Sequence, residues 1–320
     1  MSTKVGILFP GQGAQYVGME KELVTNFPWT RLVYEEASEA IKTNLFKLCQ
    51  DGPSSDLRLT QNGQPSILTT SYAWFQVLRR ELDFVPDAGA GHSLGEYTAL
   101  LAAGAMELSE AVRLVRERGE RMQTAVPVGA GKMAAVIGLA DDLVQKLCEK
   151  ATEGDSIVVP VNFNAPGQVV IAGHTAAVER AEAISKAKNP PELAARKIIA
   201  LDVSAPFHSP LMAPVVESFG PALDAISWQT PRFGIVFNVD AKFRTEPDIP
   251  VLLKQQVDHP VRWVASMRTL LNAGIETFVE PGPSNVLAGL MKRIDRNAKM
   301  IGVESLEGIS ELEALLKEKR

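Results

Sequence analysis

Apolar segments with two different spacings follow one another along the chain, and their order predicts an α/β protein. Short apolar runs at 4–9, 233–237 and 275–279, and a small-residue run at 88–90, are typical of buried strands. Helical spacing predicts helices at 67–82, 96–103, 109–125, 209–226, 249–257, 261–272 and 284–293, with a charged surface helix at 304–320. Ser109 is expected to cap the helix at 109–125. Because strands alternate with helices, we expect a parallel sheet between layers of helices.

The middle of the chain has a different rhythm, which predicts an inserted subdomain. Strands are predicted at 132–138, 157–163, 168–173 and 196–203, and helices at 141–151 and 176–188. Their order, β-α-β-β-α-β, is that of ferredoxin-like domains. We therefore expect a ferredoxin-like insert at 129–197, bounded by the segments 128–131 and 204–206, within a large domain made of residues 1–128 and 198–320.

Composition and charge exclude several classes of protein. The 320 residues include 33 basic and 38 acidic side chains, interspersed along the chain, for a formal net charge of -5. A nucleic-acid-binding protein would show a basic stripe, and no apolar run approaches the ~20 residues that span a membrane. Since the first predicted strand begins at residue 4, no secretion signal is expected before it. We expect a cytoplasmic protein without nucleic-acid or membrane partners.

Neither the cysteines nor the glycines near the start of the chain indicate a cofactor. Cys49 and Cys148 are isolated, which excludes a disulfide framework and a structural zinc, and Cys148 has the spacing of a buried helix position. The glycine turn at 10–18 resembles a dinucleotide fingerprint only superficially, because its third glycine comes too late and no acidic strand end follows. We expect no cofactor and no metal.

The segment 91–95, Gly-His-Ser-Leu-Gly, matches the G-x-S-x-G pattern of a nucleophilic serine. In such a turn the flanking glycines let a strand and a helix pack closely, so that the Ser93 oxygen is exposed. The backbone N–H of Leu94 would point to the place where an oxyanion forms. The alternative is a tight turn whose serine only caps the following helix.

A nucleophilic serine needs a base, and His208 is the best candidate among the four histidines. It follows a predicted strand and precedes a helix with a serine cap and a proline at its first position, which is where open α/β sheets place their sites. The positive end of that helix is expected to keep the ring neutral. His92 is expected to form a wall of the pocket, while His174 and His259 suit structural or solvated positions.

The chain offers no clear acid to orient His208. A hydrolase-type triad requires an Asp or Glu between the serine and the histidine on the large-domain sheet. Asp202 instead falls on the last predicted strand of the insert. Either a backbone carbonyl or an amide side chain orients the ring, or the assignment of His208 as the base is wrong.

Arg118 falls in the middle of the apolar face of the helix predicted at 109–125. The apolar residues that share this face, at about 100° per residue, are Ala111, Leu114, Val115, Met122 and Ala125. An unpaired guanidinium there would be costly, so Arg118 requires an anion. That anion is either a buried carboxylate of the protein or a carboxylate of the substrate, which arginine grips with two parallel hydrogen bonds. The residues alone leave both alternatives open.

Several motifs in a fixed order resemble the malonyl-CoA:acyl carrier protein transacylases, the acyltransferase family of fatty-acid and polyketide synthesis. The motifs are Phe-Pro-Gly-Gln-Gly at 9–13, Gly-His-Ser-Leu-Gly-Glu-Tyr at 91–97, Arg-Gly at 118–119, Met-Gln at 122–123, Asn-Ala-Pro-Gly-Gln at 164–168, Phe-His-Ser at 207–209, Asn-Val-Asp at 238–240 and Glu-Pro-Gly-Pro at 280–283. The resemblance covers essentially the whole chain. It implies an α/β-hydrolase-like large domain with a ferredoxin-like insert.

The resemblance also implies a role for each residue of the reacting group. Ser93 would accept the acyl group, His208 would be its base, and Arg118 would bind the malonyl carboxylate. The backbone N–H groups of Gln12 and Leu94 would form the oxyanion hole.

Further roles follow from the same resemblance for residues around this group. Gln256 best matches the amide residue that orients the histidine in this family, with Gln255 as an adjacent competitor. Phe207 resembles the bulky residue of members that prefer malonyl to methylmalonyl groups, and His92 would line the acyl pocket. Pro281 departs from the family, whose members more often carry valine there, and we expect it to adjust a loop without changing the chemistry.

The implied activity is a ping-pong transfer of malonyl from malonyl-CoA to the phosphopantetheine thiol of an acyl carrier protein, through an ester on Ser93 and without a cofactor. A thioester hydrolase with the same Ser–His pair would finish with water, and a docking subunit would keep the fold without the chemistry. Both remain alternatives. Arg118 favours the transferase, because an esterase has no use for a guanidinium on an apolar wall.

Overall fold

The computed structural model describes residues 4–203 and 205–318, which form two β-sheets with helices packed against them. The strands are β1 Lys4–Phe9, β2 Ala88–Gly91, β3 Gly131–Ile137, β4 Val158–Ala165, β5 Gln168–His174, β6 Lys197–Ala200, β7 Gly234–Val236, β8 Phe243–Arg244, β9 Ile275–Pro281 and β10 Lys299–Val303. Ser204, which the sequence analysis places at a boundary of the insert, lies outside the described residues, as do residues 1–3 and 319–320.

Most of the helices precede or follow a strand of the large sheet. They are α1 Lys21–Asn26, α2 Arg31–Ile41, α3 Leu45–Asp51, α4 Ser54–Arg58, α5 Thr60–Leu82, α6 Leu94–Ala102, α7 Leu108–Gln123, α8 Asp141–Ala151, α9 Thr175–Ala187, α10 Ala213–Asp224, α11 Ile249–Asp258, α12 Trp263–Asn272, α13 Val286–Ile294 and α14 Leu306–Glu318. Short 3-10 helices lie at Pro28–Thr30, Pro191–Leu193 and Pro210–Met212. Among the described residues no helix is long and apolar enough to cross a membrane.

The large sheet brings the two glycine-bearing segments of the sequence to one edge. Its strand order is β10-β9-β1-β2-β7-β8, with parallel pairing from β10 to β7 and an antiparallel edge strand β8. The predicted α/β class with a parallel-containing sheet is therefore confirmed. Because Phe9 pairs with Gly91 at the carboxyl ends of β1 and β2, the loops that follow these strands are neighbours. Sites of open α/β sheets form at this edge.

The small sheet is antiparallel and has its own apolar core. Its strand order is β4-β5-β3-β6, and the chain runs β3-α8-β4-β5-α9-β6. Buried residues of α8, α9 and one sheet face form a cluster separate from the main core, and Leu147 of α8 lies fully inside it. The other face carries residues such as Met133 and Val170, which belong to the main core. This second face therefore covers the large part of the molecule and forms one side of the cleft described below.

Several predicted boundaries differ from the structure. The helix predicted at 67–82 begins at Thr60, and the helix predicted at 109–125 begins at Leu108, where Glu107 and Glu110 form a reciprocal cap, so Ser109 is not the cap. The strand predicted at 196–203 ends at Ala200. The long helix predicted at 209–226 is a 3-10 turn followed by α10.

Several elements were not predicted from the sequence. Helices α1, α3 and α4 have seven residues or fewer, α2 has 11 residues and was also missed, and the edge strands β8 and β10 were not recognised. The cysteines agree with expectation, since both are free and buried, and Cys148 lies inside the core of the small sheet.

We expect the two cores to respond separately to a cavity. Leu147→Ala removes a fully buried side chain from the cluster of the small sheet, at a cost of about 2–5 kcal/mol. Amide hydrogen exchange should accelerate in β3, β5 and α8 and much less in β1 and β9. The matched variant Leu270→Ala, whose leucine is fully buried in a cluster that includes Phe278 of β9, should give the opposite map. Equal acceleration in both sheets by Leu147→Ala would contradict separate cores.

Candidate active site

The segment 91–95 makes a sharp turn between β2 and α6 that only glycines at both ends allow. A Cβ on Gly91 would lie 1.9 Å from the backbone of Gly95, and a Cβ on Gly95 would lie 2.1 Å from the Phe9 oxygen. Ser93, between them, has φ 53° and ψ −105°, a conformation that is sparsely populated for a residue with a side chain. This is the strained strand-to-helix turn that the sequence pattern predicts for an exposed serine oxygen.

The structure places His208 directly against Ser93. The Ser93 Oγ lies 2.7 Å from His208 Nε2, although the two residues are 115 positions apart in the chain. On its other side, His208 Nδ1 lies 2.7 Å from the backbone oxygen of Gln256 on α11. A carbonyl oxygen only accepts, so Nδ1 carries the proton and Nε2 is free to accept one from Ser93. Gln256 is buried and its neighbour Gln255 is exposed.

Burial keeps His208 neutral. Desolvation, and then the positive charge of Arg118, lower the pKa of His208 from 6.5 to about 3. The neutral ring expected from the sequence therefore has a different cause from the helix end proposed for it. Ser209 is not a side-chain cap, because its Oγ donates to the oxygen of Pro206 at 2.6 Å.

Arg118 lies inside the apolar face of α7, as the helical spacing predicted, and only 1% of it is exposed. Its Nη1 donates to Gln64 Oε1 at 2.9 Å, and its Nη2 donates to Gln256 Oε1 at 3.0 Å and to Ser93 Oγ at 3.1 Å. Its charge lies 5.3 Å from the centre of the Tyr97 ring. These hydrogen-bond acceptors are all neutral, and no ion pair among the described residues includes Arg118. The structure thus leaves the charge of the guanidinium without a partner carboxylate at hydrogen-bond distance.

Gly119 explains how a charged side chain reaches this depth. A Cβ at Gly119 would lie 2.6 Å from Cα of Gln61, so α7 crosses the first turn of α5 at backbone contact. That close approach brings Gln64, on the same part of α5, within reach of the Arg118 guanidinium. The Arg-Gly pair is therefore a single structural unit.

Gln12 and Leu94, the residues expected to supply an oxyanion hole, both lie next to the serine turn. Leu94 is the first residue of α6, so its N–H has no intrahelical acceptor. Gln12 follows β1 in a loop that touches the turn, because a Cβ at Gly11 would lie 2.5 Å from the oxygen of His92. Gln12 and Leu94 both line the cleft that contains Ser93.

The cleft has a volume of about 570 Å³ and lies between the large and small sheets. Phe207 and Met122 contribute apolar walls beside His208 and Arg118. His92 also lines the cleft, with Nε2 2.8 Å from Asn164 Oδ1 and with burial lowering its pKa. A neutral His92 facing an amide is a wall residue in this geometry.

The rim of the cleft carries charge. Arg58 and Asp202 both line the cleft, and Arg58 Nη1 lies 3.7 Å from Asp202 Oδ2. Both side chains are exposed. Asp202 lies in the segment that follows β6, where the sequence predicted a continuing strand. Asp202, the acid considered for a triad, thus lies at the rim of the cleft. The group that faces His208 Nδ1 is the backbone oxygen of Gln256.

The side chains of the other two histidines make separate contacts, although the backbone of His259 hydrogen-bonds to His208. His174 accepts the N–H of Ile157 through Nδ1, and the exposed His259 pairs with Asp258. In residues 4–203 and 205–318 no group of three or more His, Cys, Asp or Glu side chains is arranged to hold a metal ion.

Three buried polar residues at the site were not singled out from the sequence. Gln64 accepts a hydrogen bond from Arg118. Asn238 hydrogen-bonds to the backbone of the serine turn, and Glu96 accepts the backbone N–H of Asn238. Gln64 lies in a polar stretch that gave no helical signal. Glu96 and Asn238 fall within recognised motifs, which were the available signal that these residues belong to the site. Their contact joins positions 142 apart in the chain, so neither motif alone indicates it.

The sequence and structure are similar to known acyl transferases. A family model described as acyl transferase domain matches residues 7–309. The malonyl CoA-acyl carrier protein transacylase of Bacillus subtilis (strain 168) is 42% identical over 317 residues, which are 99% of this chain and 98% of that protein. The solved malonyl CoA-acyl carrier protein transacylase from Coxiella burnetii has a TM-score of 0.94 at 39% identity, covering 99% of this chain and 98% of its own.

A second solved structure includes a carrier protein. It is described as a type II PKS acyl-carrier protein in complex with its malonyl-transacylase. The match has a TM-score of 0.93 at 38% identity and covers 98% of this chain and 100% of that one.

We expect Ser93 to react with phenylmethylsulfonyl fluoride at a rate that hardly changes across the usual range of histidine titration. Because the pKa of His208 is lowered to about 3, the base stays unprotonated as the pH falls through 6.5. The rate constant of inactivation should change less than about twofold between about pH 7 and about pH 5. Mass spectrometry of the sulfonylated peptide identifies the residue, and Ser93→Ala is the control. A fall in rate with a midpoint near 6.5 would show that His208 titrates normally.

Proposed function

The chain belongs to the acyl transferase domain family, and we propose that it transfers a malonyl group from malonyl-CoA to the phosphopantetheine thiol of an acyl carrier protein through an ester of Ser93. The resemblance noted in the sequence is confirmed by relatives that match over nearly the full length at 42% and 39% identity. The protein is therefore an acyltransferase. The assignment of individual residues to steps is our proposal.

The observation that carries the proposal is the buried guanidinium of Arg118 beside the Ser93 oxygen. At 3.1 Å from Ser93 Oγ, with neutral acceptors around it, Arg118 lacks the anion that a buried charge requires. A malonyl group carries a carboxylate one carbon away from its thioester carbonyl. The same acyl group can therefore present its carbonyl to Ser93 and its carboxylate to Arg118.

The first half-reaction begins with attack of Ser93 Oγ on the thioester carbonyl. His208 Nε2 takes the proton of the hydroxyl, and the backbone oxygen of Gln256 accepts the hydrogen bond of Nδ1–H throughout. The N–H groups of Gln12 and Leu94 stabilise the tetrahedral oxyanion. When this intermediate collapses, the C–S bond breaks, and CoA leaves as a thiol with the proton from His208.

In the second half-reaction the steps run in reverse with a new thiol. The phosphopantetheine thiol gives its proton to His208 and attacks the carbonyl of the malonyl ester. The bond between that carbon and Ser93 Oγ then breaks, and Ser93 Oγ takes the proton from His208. The solved complex of a similar transacylase with a carrier protein supports this choice of acceptor. The reaction needs no cofactor, because protein side chains and backbone groups supply every step.

The state of His208 would depend on the bound acyl group. Burial and the Arg118 charge both disfavour an imidazolium in the free site. A malonyl carboxylate on Arg118 offsets that charge, so His208 becomes a stronger base when the correct substrate is bound. Discrimination against acyl groups without a carboxylate would then act on the chemical step as well as on binding.

The walls of the cleft would set the size of the acyl group. Phe207 is 8% exposed and immediately precedes His208 in the chain. Its ring would therefore limit the space beside the acyl carbon. His92 also lines the cleft, where its hydrogen bond with Asn164 holds the ring in place. We propose that these residues favour malonyl over methylmalonyl groups.

The proposal extends to the architecture and location. We interpret the large sheet and its helices as the α/β-hydrolase-like domain expected at 1–128 and 198–320, and the small sheet, whose last strand β6 continues to Ala200, as the ferredoxin-like insert expected at 129–197. The order of β3 to β6 with α8 and α9 supports this interpretation. We propose that the enzyme works in the cytoplasm.

A short incubation with malonyl-CoA should leave one malonyl group on Ser93. Intact-mass spectrometry should show the adduct in the wild-type protein and none in Ser93→Ala, because the ester oxygen is that of Ser93. Addition of a phosphopantetheinylated carrier protein should then discharge the adduct to the carrier thiol. Absence of the wild-type adduct would contradict the proposal, and release of free malonate in place of transfer would indicate a hydrolase.

Arg118→Met should separate malonyl from acetyl transfer. Loss of the buried charge partner should lower kcat/KM for malonyl-CoA by roughly 100-fold or more, whereas acetyl-CoA, which has no carboxylate, should lose far less. The matched control is Arg113→Met, which removes an exposed arginine from the same helix and should leave both activities unchanged. Equal losses for both acyl groups with Arg118→Met would mean that Arg118 is only structural.

A further inference from the structure

We infer that Asn238 is a positioning residue, which holds the Ser93 turn in its reactive shape, and that the buried Glu96 holds Asn238 in place. The inference rests on the proposed function only in that the step it affects is acylation of Ser93. Neither residue contacts the acyl group in the proposed reaction. Their effect on the rate would pass through the serine turn, which Asn238 contacts directly and Glu96 contacts through Asn238.

The side chain of Asn238 joins the first residue of the turn to Ser93 at its centre. Its Nδ2–H donates to the oxygen of Gly91 at 2.7 Å, and its Oδ1 accepts the N–H of Ser93 at 2.7 Å. Asn238 is fully buried two residues after β7, the strand beside β2. Because one amide supplies a donor and an acceptor at fixed separation, it can satisfy both backbone groups at once. Neither an ionised Asp nor an Ala can do so.

The turn needs such a restraint because its backbone is strained. Ser93 has a positive φ that L-residues rarely adopt, so an unrestrained turn would relax. Rotation of the peptide between His92 and Ser93 would break the hydrogen bond to Asn238 Oδ1. The same rotation would swing Ser93 Oγ away from His208 and redirect the N–H of Leu94. The hydrogen bonds of Asn238 therefore hold the nucleophile and one oxyanion donor in a single arrangement.

Glu96 fixes Asn238 from the other side. It lies in the first turn of α6, fully buried, and its Oε2 accepts the backbone N–H of Asn238 at 2.6 Å. Since α6 starts directly after Ser93, this contact closes a ring of bonded and hydrogen-bonded atoms from Ser93 through α6 to Asn238 and back to Ser93. Glu96 thus ties the helix, the turn and the end of β7 together.

The electrostatics agree with a neutral Glu96. Burial raises the pKa of Glu96 to about 8, against the opposing effects of the Asn238 N–H and the positive charge of Arg118. A protonated Glu96 leaves the charge of Arg118 available to the substrate. A glutamine offers the same acceptor without a charge, so Glu96→Gln should preserve the contact with Asn238.

Single-turnover acylation by malonyl-CoA tests the inference. Asn238→Ala, Asn238→Leu and Glu96→Ala should slow the acylation rate constant of Ser93 at saturating malonyl-CoA by about 100-fold. The apparent dissociation constant of malonyl-CoA should stay within about threefold of wild type, because Arg118 and the cleft walls keep their own side chains. Glu96→Gln should restore the rate to within about threefold. Rapid-quench mass spectrometry measures the rate, and thermal melting verifies the fold.

Glu280→Ala is the matched control for loss of a buried carboxyl group. Glu280 is fully buried at the end of β9, where it accepts the N–H groups of Leu287 and Ala288, and it has no contact with the serine turn. Its replacement should lower the melting temperature and leave the acylation rate unchanged. If Asn238→Ala fails to fold, Asn238→Leu, which has nearly the same size and no polar side-chain atom, decides.

Two results would overturn the inference. One is acylation of folded Asn238→Leu at the wild-type rate. The other is a loss in Glu96→Ala that Glu280→Ala reproduces or that Glu96→Gln fails to restore. A wild-type protein without any Ser93 adduct would instead contradict the proposed function, so the two failures are distinguishable.

Discussion

The buried positive charge of Arg118 is the constraint on which the rest of the site depends. Helices α5 and α7 touch at backbone distance so that Gln64 can hold the guanidinium, and Gln256 holds it from α11. All of its hydrogen-bond partners are neutral, which leaves the charge available for an anion. The same charge, together with burial, lowers the pKa of His208. In the proposed reaction, one side chain would thereby link the choice of substrate to the protonation state of the base.

The serine turn meets a second requirement of the proposed reaction, which is to expose the Ser93 oxygen while keeping its direction fixed. Gly91 and Gly95 permit the close approach of β2, α6 and β1, while the resulting strain falls on Ser93. Asn238 and Gln256 then grip the turn, since Gln256 Nε2 donates to the oxygen of Ser93 at 2.9 Å. Gln256 contacts Arg118, His208 and Ser93 together, so the acid normally expected beside such a histidine is replaced by an amide residue with several contacts.

The sequence predicted the parts of the site that have a local pattern. The first strand, the glycine-flanked serine and the apolar face around Arg118 could be recognised because spacing and residue type carry the information within a few positions. The first turn of α5 was missed because its polar residues, Thr60 and Gln64, are buried to serve the site, which conceals the helical period. The sequence predicts Ser109 as the cap because a reciprocal pair of glutamates gives no stronger local signal than a serine. The Glu96–Asn238 contact depends on tertiary packing, which no local pattern encodes.

A crystal structure of Ser93→Ala with malonyl-CoA bound tests the central claim most directly. The account predicts that both carboxylate oxygens of the malonyl group lie within hydrogen-bond distance of the Arg118 Nη atoms, with the thioester carbonyl beside the N–H groups of Gln12 and Leu94. Acetyl-CoA in the same crystals should leave Arg118 on Gln64 and Gln256. A malonyl carboxylate that points to solvent, or that pairs with Arg58 at the rim, would contradict the account.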